Sequence, residues 1–141
     1  KVTYKREKDV KARVKKLLDA YDWFWWMPSA NGFGTPGIAD ICALHKGGVF
    51  LGVETKFGTN KPTEHQKAFL ETINANNSFG FVVSEKTIDV FEQWLENFDI
   101  SVKTASHNKP IPDEVGATVV DAIRILTEPL MEHKAHKIKN A

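Results

Sequence analysis

The spacing of apolar residues changes along this chain, and each change predicts a helix or a strand. Between Tyr4 and Tyr21, apolar residues recur every three or four positions, which predicts an amphipathic helix. The apolar stripe of this helix consists of Val10, Val14, Leu17, Leu18 and Tyr21. Glu7 lies one turn before Val10 on the same stripe, so we expect its side chain to face the body of the domain.

Three apolar runs follow that have the length of strands. They are residues 23–27, which are aromatic except for Met27, residues 38–44, which Asp40 interrupts, and residues 49–57. A glycine-rich loop over 29–37 separates the first two runs, and a turn with two glycines links the last two as a hairpin. We expect the aromatic run to lie mainly in the core. Stacking on unpaired bases and contact with a partner subunit are the alternatives.

The second half of the chain alternates helix and strand. A capping box of Thr63 and Gln66 begins a helix that ends near Ala75, and residues 80–83 form a short buried strand. The next helix directs five apolar residues inward, namely Ile88, Phe91, Trp94, Leu95 and Phe98. Residues 101–112 are polar and contain prolines, which predicts a loop. A final helix over 113–126 is then followed by a frayed basic tail beyond Pro129.

These elements predict an α/β fold with a mixed β-sheet flanked by helices, in the order α-β-β-β-α-β with extra C-terminal helices. At 141 residues the chain is expected to form a single domain. Residues 1–100 would make its core, and residues 101–141 would be a helical extension of the same domain.

Charge and cysteine content narrow the functional classes. The net charge of +1 does not by itself indicate a nucleic-acid-binding protein. Eight of the first sixteen residues are nevertheless basic, which suits either contact with a phosphate backbone or a solvated helix face.

Cys42 is the single cysteine, so no internal disulfide can form, in keeping with a cytoplasmic protein. No apolar run reaches the roughly 20 residues of a membrane span, and the N-terminus lacks the apolar segment of a signal peptide.

Candidate chemistry lies in the predicted hairpin. Strand alternation puts Glu54 and Lys56 on one face, about 6.5–7 Å apart at their Cα atoms. Gly52 precedes them on that face and has no side chain, which leaves room for a ligand to approach. Asp40 interrupts an apolar strand and needs a partner there, and the hairpin would bring it beside Glu54. The alternative is that Glu54 and Lys56 form only a surface ion pair.

Two neighbouring carboxylates suit a hard cation such as Mg²⁺ or Mn²⁺, which binds few protein groups and shares its coordination with water and substrate phosphate. Such a metal would activate a water molecule and stabilise charge on the phosphate. Lys56 would orient that water or neutralise the developing charge. These residues therefore predict a metal-dependent nuclease.

The motifs Gly37-x-x-Asp40 and Glu54-x-Lys56, followed by Gln66 in the next helix, resemble those of the PD-(D/E)XK nuclease superfamily. They are most similar to its VRR-NUC branch, in the small stand-alone form of phages and bacteria. The resemblance covers about residues 4–95. It implies a restriction-endonuclease-like core.

The resemblance also implies roles for individual residues. Asp40 and Glu54 would be metal ligands and Lys56 the catalytic lysine. Gln66 would be the glutamine that follows the active strand, and Glu7 the helical carboxylate, with Asp9 as a weaker candidate. The proline after which the superfamily is named is replaced by Ala39.

The implied activity is hydrolysis of DNA phosphodiester bonds, on branched or structured substrates such as Holliday junctions or flaps. We expect a homodimer, because a two-fold enzyme can present two sites to a symmetric junction. The expected location is the cytoplasm of a bacterial or phage-infected cell. The alternative is a catalytically inactive DNA-binding or assembly protein of the same fold.

Other metal or nucleophile sites have weaker support. His133 and His136 have the spacing of a shared metal site but fall in the predicted tail. A zinc site of Cys42, His45 and His65 is not expected, and Cys42 is better explained as a small core residue.

Overall fold

The computed structural model describes the backbone of residues 2–29 and 34–140, and side chains as far as Met131. Within these ranges the chain folds into four helices and one four-stranded sheet. The elements in chain order are α1 Glu7–Ala20, β1 Phe24–Trp26, β2 Ile41–Leu44, β3 Phe50–Thr55, α2 Glu64–Ala75, β4 Phe79–Val83, α3 Ile88–Ser106 and α4 Asp113–Asn140.

The sheet is mixed, with the strand order β1-β2-β3-β4. β1 and β2 are antiparallel, as are β2 and β3, whereas β3 and β4 run parallel. Helix α2 makes the crossover that a parallel pair requires. The predicted α/β class, the mixed sheet and the order of the first six elements are therefore confirmed.

Helices cover the sheet on both faces. On one face, the apolar stripes of α1 and α3 pack on alternate residues of the strands, including Leu51, Val53, Phe81 and Val83. The other face packs against Leu70 and Ile73 of α2, with Val82 of β4 in the same cluster. The inward positions predicted for α1 at Val10, Val14, Leu17 and Leu18, and all five of those predicted for α3, are buried.

Helix α2 lies close to the strands at two glycines. A Cβ atom at Gly80 would lie 2.5 Å from the backbone oxygen of Leu70, and one at Gly52 would lie 2.7 Å from Cδ1 of Ile73. The room that Gly52 leaves is thus filled by Ile73 rather than by a ligand. Both faces of β3 are buried, including the face that carries Glu54.

The capping box predicted for α2 is present. The Thr63 hydroxyl accepts a hydrogen bond from the Gln66 N–H at 3.2 Å, and Oε1 of Gln66 accepts one from the Thr63 N–H at 2.8 Å. This reciprocal pair satisfies two backbone donors that the helix itself leaves free. It also fixes the position of Gln66 at the start of α2.

The C-terminal part differs from the prediction. Helix α3 continues to Ser106, so the residues from 101 to 106 are helical rather than loop. The boundary expected near residue 100 therefore falls inside a helix. Helix α4 does not end at Leu126 or fray at Pro129, but continues to Asn140. Leu126 and Leu130, on either side of Pro129, are buried in the two core clusters, and this burial offsets the hydrogen bond that proline removes.

Among the described helices, none combines the length and the apolar composition that crossing a bilayer requires.

Candidate functional site

Asp40 lies at the bend that precedes β2, rather than inside the strand as predicted. In the antiparallel register, Ile41 pairs with Val53 and Cys42 with Gly52. Continuing this register by one residue puts Asp40 opposite Glu54. The hairpin therefore brings the two carboxylates together, and their proximity is reflected in the effect of Asp40 on the pKa of Glu54.

The Asp40 carboxylate is held in a definite orientation. Its Oδ2 atom accepts two hydrogen bonds from Thr55, one from the backbone N–H at 2.9 Å and one from the hydroxyl at 2.8 Å. Its Oδ1 atom lies 3.8 Å from Nζ of Lys11 on α1. These contacts tie the bend before β2 to both β3 and α1.

Glu54 is the most unusual group of the site, because this charged residue is only 1% exposed. Its Oε2 atom lies 3.3 Å from Nζ of Lys56, two residues along the chain. Among the described atoms, Oε1 has no hydrogen-bond partner. Burial, and secondarily the charge of Asp40, raise the pKa of Glu54 to about 7, although Lys56 acts in the opposite direction. A carboxylate in this environment favours either a proton or a bound cation.

A cleft of about 540 Å³ opens beside Asp40. Its walls include Lys11, Gln66 and the described part of the loop before β2, from Gly34 to Ala39. Gln66 is thus both part of the capping box of α2 and part of the cleft wall. Since its carbonyl oxygen is used in the cap, its amide NH₂ is the group that can donate to a ligand.

Gly37 sets the distance between this loop and α2. Its φ angle is +75°, a conformation that residues with a side chain adopt rarely. A Cβ atom at this position would lie 2.3 Å from the carbonyl carbon of His65 and 2.6 Å from the backbone nitrogen of Gln66. The glycine of the Gly37-x-x-Asp40 motif therefore lets the loop lie directly against the first turn of α2.

We predict that Gly37→Ala lowers the free energy of unfolding by about 2–4 kcal/mol, because it combines backbone strain with a clash against backbone atoms. Gly48→Ala is the matched control, since Gly48 has a φ of +86° but no atom lies within 4 Å of the position that the added methyl group would occupy. Urea unfolding should give a loss of only about 1 kcal/mol for that control. Equal losses in the two variants would contradict the close packing of the loop on α2.

Glu7 is the first residue of α1 and is partly buried. Lys11, one turn later on the same helix face, is the α1 residue in contact with Asp40. Within the described residues, no group of three or more His, Cys, Asp or Glu side chains is arranged to hold a metal ion. The structure thus brings Asp40 and Glu54 together but does not assemble Glu7 with them into a three-carboxylate cluster. Asp9, the weaker candidate, accepts hydrogen bonds from the Lys5 and Arg6 N–H groups and stabilises the start of α1.

Three residues of this region were not singled out from the sequence. Lys11 contacts Asp40, and its position four residues after Glu7 was the available signal. Strand alternation puts Thr55 on the face opposite Glu54 and Lys56, yet its hydroxyl and N–H both donate to Asp40. Lys67 lies on the inner side of α2 and is only 5% exposed. Its spacing along the helix is that of a buried apolar residue, so helical periodicity alone does not single it out.

The remaining candidates of the sequence analysis have other roles or lie outside the described side chains. Cys42 is buried, and burial raises the pKa of its thiol to about 11, as expected of a core residue. His45 is buried between the rings of Trp23 and Phe98. The side chains of His133 and His136 are outside the described residues.

The aromatic run does not lie mainly in the core as expected. Trp23 is buried, but Phe24 is 69% exposed and Trp26 is 39% exposed. Their rings lie 5.8 Å apart, and the Trp26 ring lies 6.1 Å from that of Phe50. The reason is that β1 forms an edge of the sheet, where alternate side chains extend past the helices that cover the central strands.

No family model matches this chain, and a comparison with curated proteins finds no match.

Proposed function

We propose that this protein is a divalent-metal-dependent DNA endonuclease with a restriction-endonuclease-like core, related to the VRR-NUC branch of the PD-(D/E)XK superfamily. The observation that carries the proposal is Glu54, a buried carboxylate with an unpartnered oxygen that lies beside Asp40 and in contact with Lys56. A structural ion pair alone does not account for this arrangement, because a second acid nearby makes the buried charge less favourable.

The residues present fit Mg²⁺ or Mn²⁺. These ions bind through one or two carboxylates and complete their coordination with water and substrate phosphate, so Asp40 and Glu54 suffice as protein ligands. When bound, the cation supplies Lewis-acid activation of water and neutralises charge on the phosphate.

The other side chains have roles that follow from their contacts. Thr55 keeps the Asp40 carboxylate oriented through two hydrogen bonds. The ammonium group of Lys56, whose side chain is only 14% exposed, supplies a positive charge next to Glu54 where negative charge develops during hydrolysis. Lys11 and the amide of Gln66 line the cleft beside Asp40 and would contact the DNA backbone there.

The proposed substrate is branched or structured DNA, and the proposed active form is a homodimer. The basic residues of α1 support contact with DNA, since Lys8 and Lys16 are exposed. The exposed rings of Phe24 and Trp26, on a strand at the sheet edge, support contact between two copies. The cytoplasm of a bacterial or phage-infected cell is the proposed location.

The proposal is tested by incubating the protein with labelled single-stranded, duplex, flap and four-way-junction DNA, in Mg²⁺, Mn²⁺ or EDTA. We expect cutting of the branched substrates with either metal and none in EDTA. Asp40→Ala should abolish the cutting. Asp121→Ala is the matched control, because it removes an exposed carboxylate of α4 that does not line the cleft, and it should still cut.

Two outcomes would contradict the proposal. Normal cutting by Asp40→Ala would exclude Asp40 as a metal ligand. Binding of branched DNA without cutting in either metal would favour the alternative, a catalytically inactive DNA-binding or assembly protein.

A further inference from the structure

A second cavity, of about 320 Å³, lies beside Lys56 and is separate from the cleft at Asp40. Three lysines contribute to its walls, namely Lys56, Lys61 and Lys86. Among the described residues that line this cavity there is no Asp or Glu. The charged side chains among its described lining residues are therefore all basic.

Two carboxylates that are close to these lysines in the chain already have partners within the protein. Glu54 lies against Lys56, at 3.3 Å. Both oxygens of Glu85 accept the N–H of Gly58, at 3.1 and 3.2 Å. This contact fixes the start of the loop that carries Lys61, and Nζ of Lys86 lies 3.5 Å from the Gly58 carbonyl oxygen. These contacts hold the side chains of Lys56 and Lys86 in place before any ligand binds.

Two hydroxyl groups of the cavity can act as hydrogen-bond donors. The Thr87 hydroxyl accepts the N–H of Ser84 at 3.0 Å, and the Ser84 hydroxyl accepts the N–H of Lys86 at 3.1 Å. Since each oxygen serves as an acceptor in these contacts, its own hydrogen is available to a ligand. Thr87 also precedes α3, a helix of 19 residues whose N-terminal end carries partial positive charge.

Three ammonium groups and two hydroxyl donors, in a cavity whose described walls carry no acidic side chain, suit an anion with several acceptor oxygens. We propose that this cavity, formed by Lys56, Lys61, Lys86, Ser84 and Thr87, binds a phosphate group of the nucleic acid next to the phosphodiester that is cut. The proposal rests on the proposed nuclease function, because Lys56 belongs to both sites. Phosphate binding in this cavity would position the DNA strand across Lys56, because the protein would then hold two phosphates at once.

The direct test is an NMR titration of the metal-free protein with inorganic phosphate. We expect saturable shifts of the Gly58, Ser84 and Lys86 amide signals, and their loss in the double variant Lys61→Ala/Lys86→Ala. Unchanged shifts in the double variant, or shifts confined to α1, would overturn the proposal. This titration involves no cutting, so its result is independent of whether the protein is a nuclease.

The second test measures DNA affinity in EDTA and cutting in Mg²⁺. The double variant should bind DNA roughly tenfold more weakly, with a raised KM and an unchanged kcat. The matched control is Lys46→Ala/Lys109→Ala, which removes the same charge at two exposed positions outside the cavity and should bind normally. Equal weakening in the two variants would overturn the phosphate site in favour of general electrostatic attraction.

Oligonucleotides with and without a 5′-phosphate identify the source of the phosphate. Equal loss of affinity for both, in the double variant, would support an internal phosphodiester as the ligand. A loss limited to the phosphorylated oligonucleotide would support a terminal phosphate. Normal KM and normal affinity for both in the double variant would exclude the phosphate site while leaving the proposed nuclease function intact.

Discussion

If the protein is the proposed nuclease, Glu54→Gln is expected to reduce metal-dependent cutting by roughly 10³-fold, because it removes a charged ligand of the proposed metal site whose contribution is several kcal/mol. In metal-free buffer at pH 8, the same substitution is expected to stabilise the fold. Burial and the nearby Asp40 raise the pKa of Glu54 to about 7. In the unfolded chain the pKa of a glutamate is about 4.3. Activity and stability should therefore change in opposite directions.

The sign of the stability effect follows from proton binding. Between the unfolded pKa and about pH 7, the folded state keeps a proton that the unfolded state has released. Stability is then lost as pH rises through this window, by at most about 4 kcal/mol. A glutamine cannot ionise and avoids this loss, although Lys56 gives up its charged partner. We expect a net gain of roughly 1–2 kcal/mol at pH 8 and almost none at pH 5.

Urea unfolding in EDTA at the two pH values measures this effect. Glu92→Gln is the matched control, since Glu92 also pairs with a basic residue, Arg13 at 3.3 Å, but its side chain is 40% exposed. The difference in stability between this variant and the wild type should be small at both pH values. Destabilisation of Glu54→Gln at both pH values would show that the loss of the ion pair with Lys56 costs more free energy than the removal of the buried charge gains.

Lys56→Ala is expected to lower kcat by roughly 10²–10³-fold while leaving DNA binding in EDTA largely intact. Its ammonium group is the positive charge in contact with Glu54, so its removal affects the step in which charge develops more than the initial association. Single-turnover cleavage and fluorescence anisotropy separate these two quantities. Lys46→Ala, which removes an exposed lysine outside the proposed site, should retain the wild-type kcat.

A pH profile adds a second readout for Lys56. The positive charge of Lys56 lowers the pKa of Glu54, so the variant should need a higher pH to ionise Glu54. We expect its residual activity to rise with pH over a range above that of the wild type. A wild-type kcat with an unshifted profile would contradict a catalytic role and leave Lys56 as a structural partner of Glu54.

Local patterns were sufficient to predict the elements that position the site. The stripes of α1 and α3 follow from their helical spacing, and the capping box of Thr63 and Gln66 forms as predicted. The hairpin with its two glycines brings the bend that carries Asp40 beside Glu54 of β3. These features involve residues that are close in the chain or repeat with a fixed period, and such signals are the most readable ones in a sequence.

Long-range packing explains the failures. Phe24 and Trp26 are as apolar as core residues, but they lie on an edge strand that no described helix covers at these positions. Pro129 is a strong local signal for the end of a helix, yet α4 continues past it, because Leu126 and Leu130 are buried against other elements. In both cases the deciding neighbours are distant in the chain.

The sequence by itself determined the order of the elements, the apolar faces of α1 and α3, and the presence of two acids and a lysine on one hairpin. Only the tertiary structure decided how deeply these charged groups are buried and which groups they contact. Helix α2 buries the face of β3 that carries Glu54, α1 brings Lys11 to Asp40, and β3 supplies the two donors of Thr55. The physical reason is that the pKa and the orientation of a carboxylate depend on desolvation and on neighbouring charges, and both are set by residues far away in the chain.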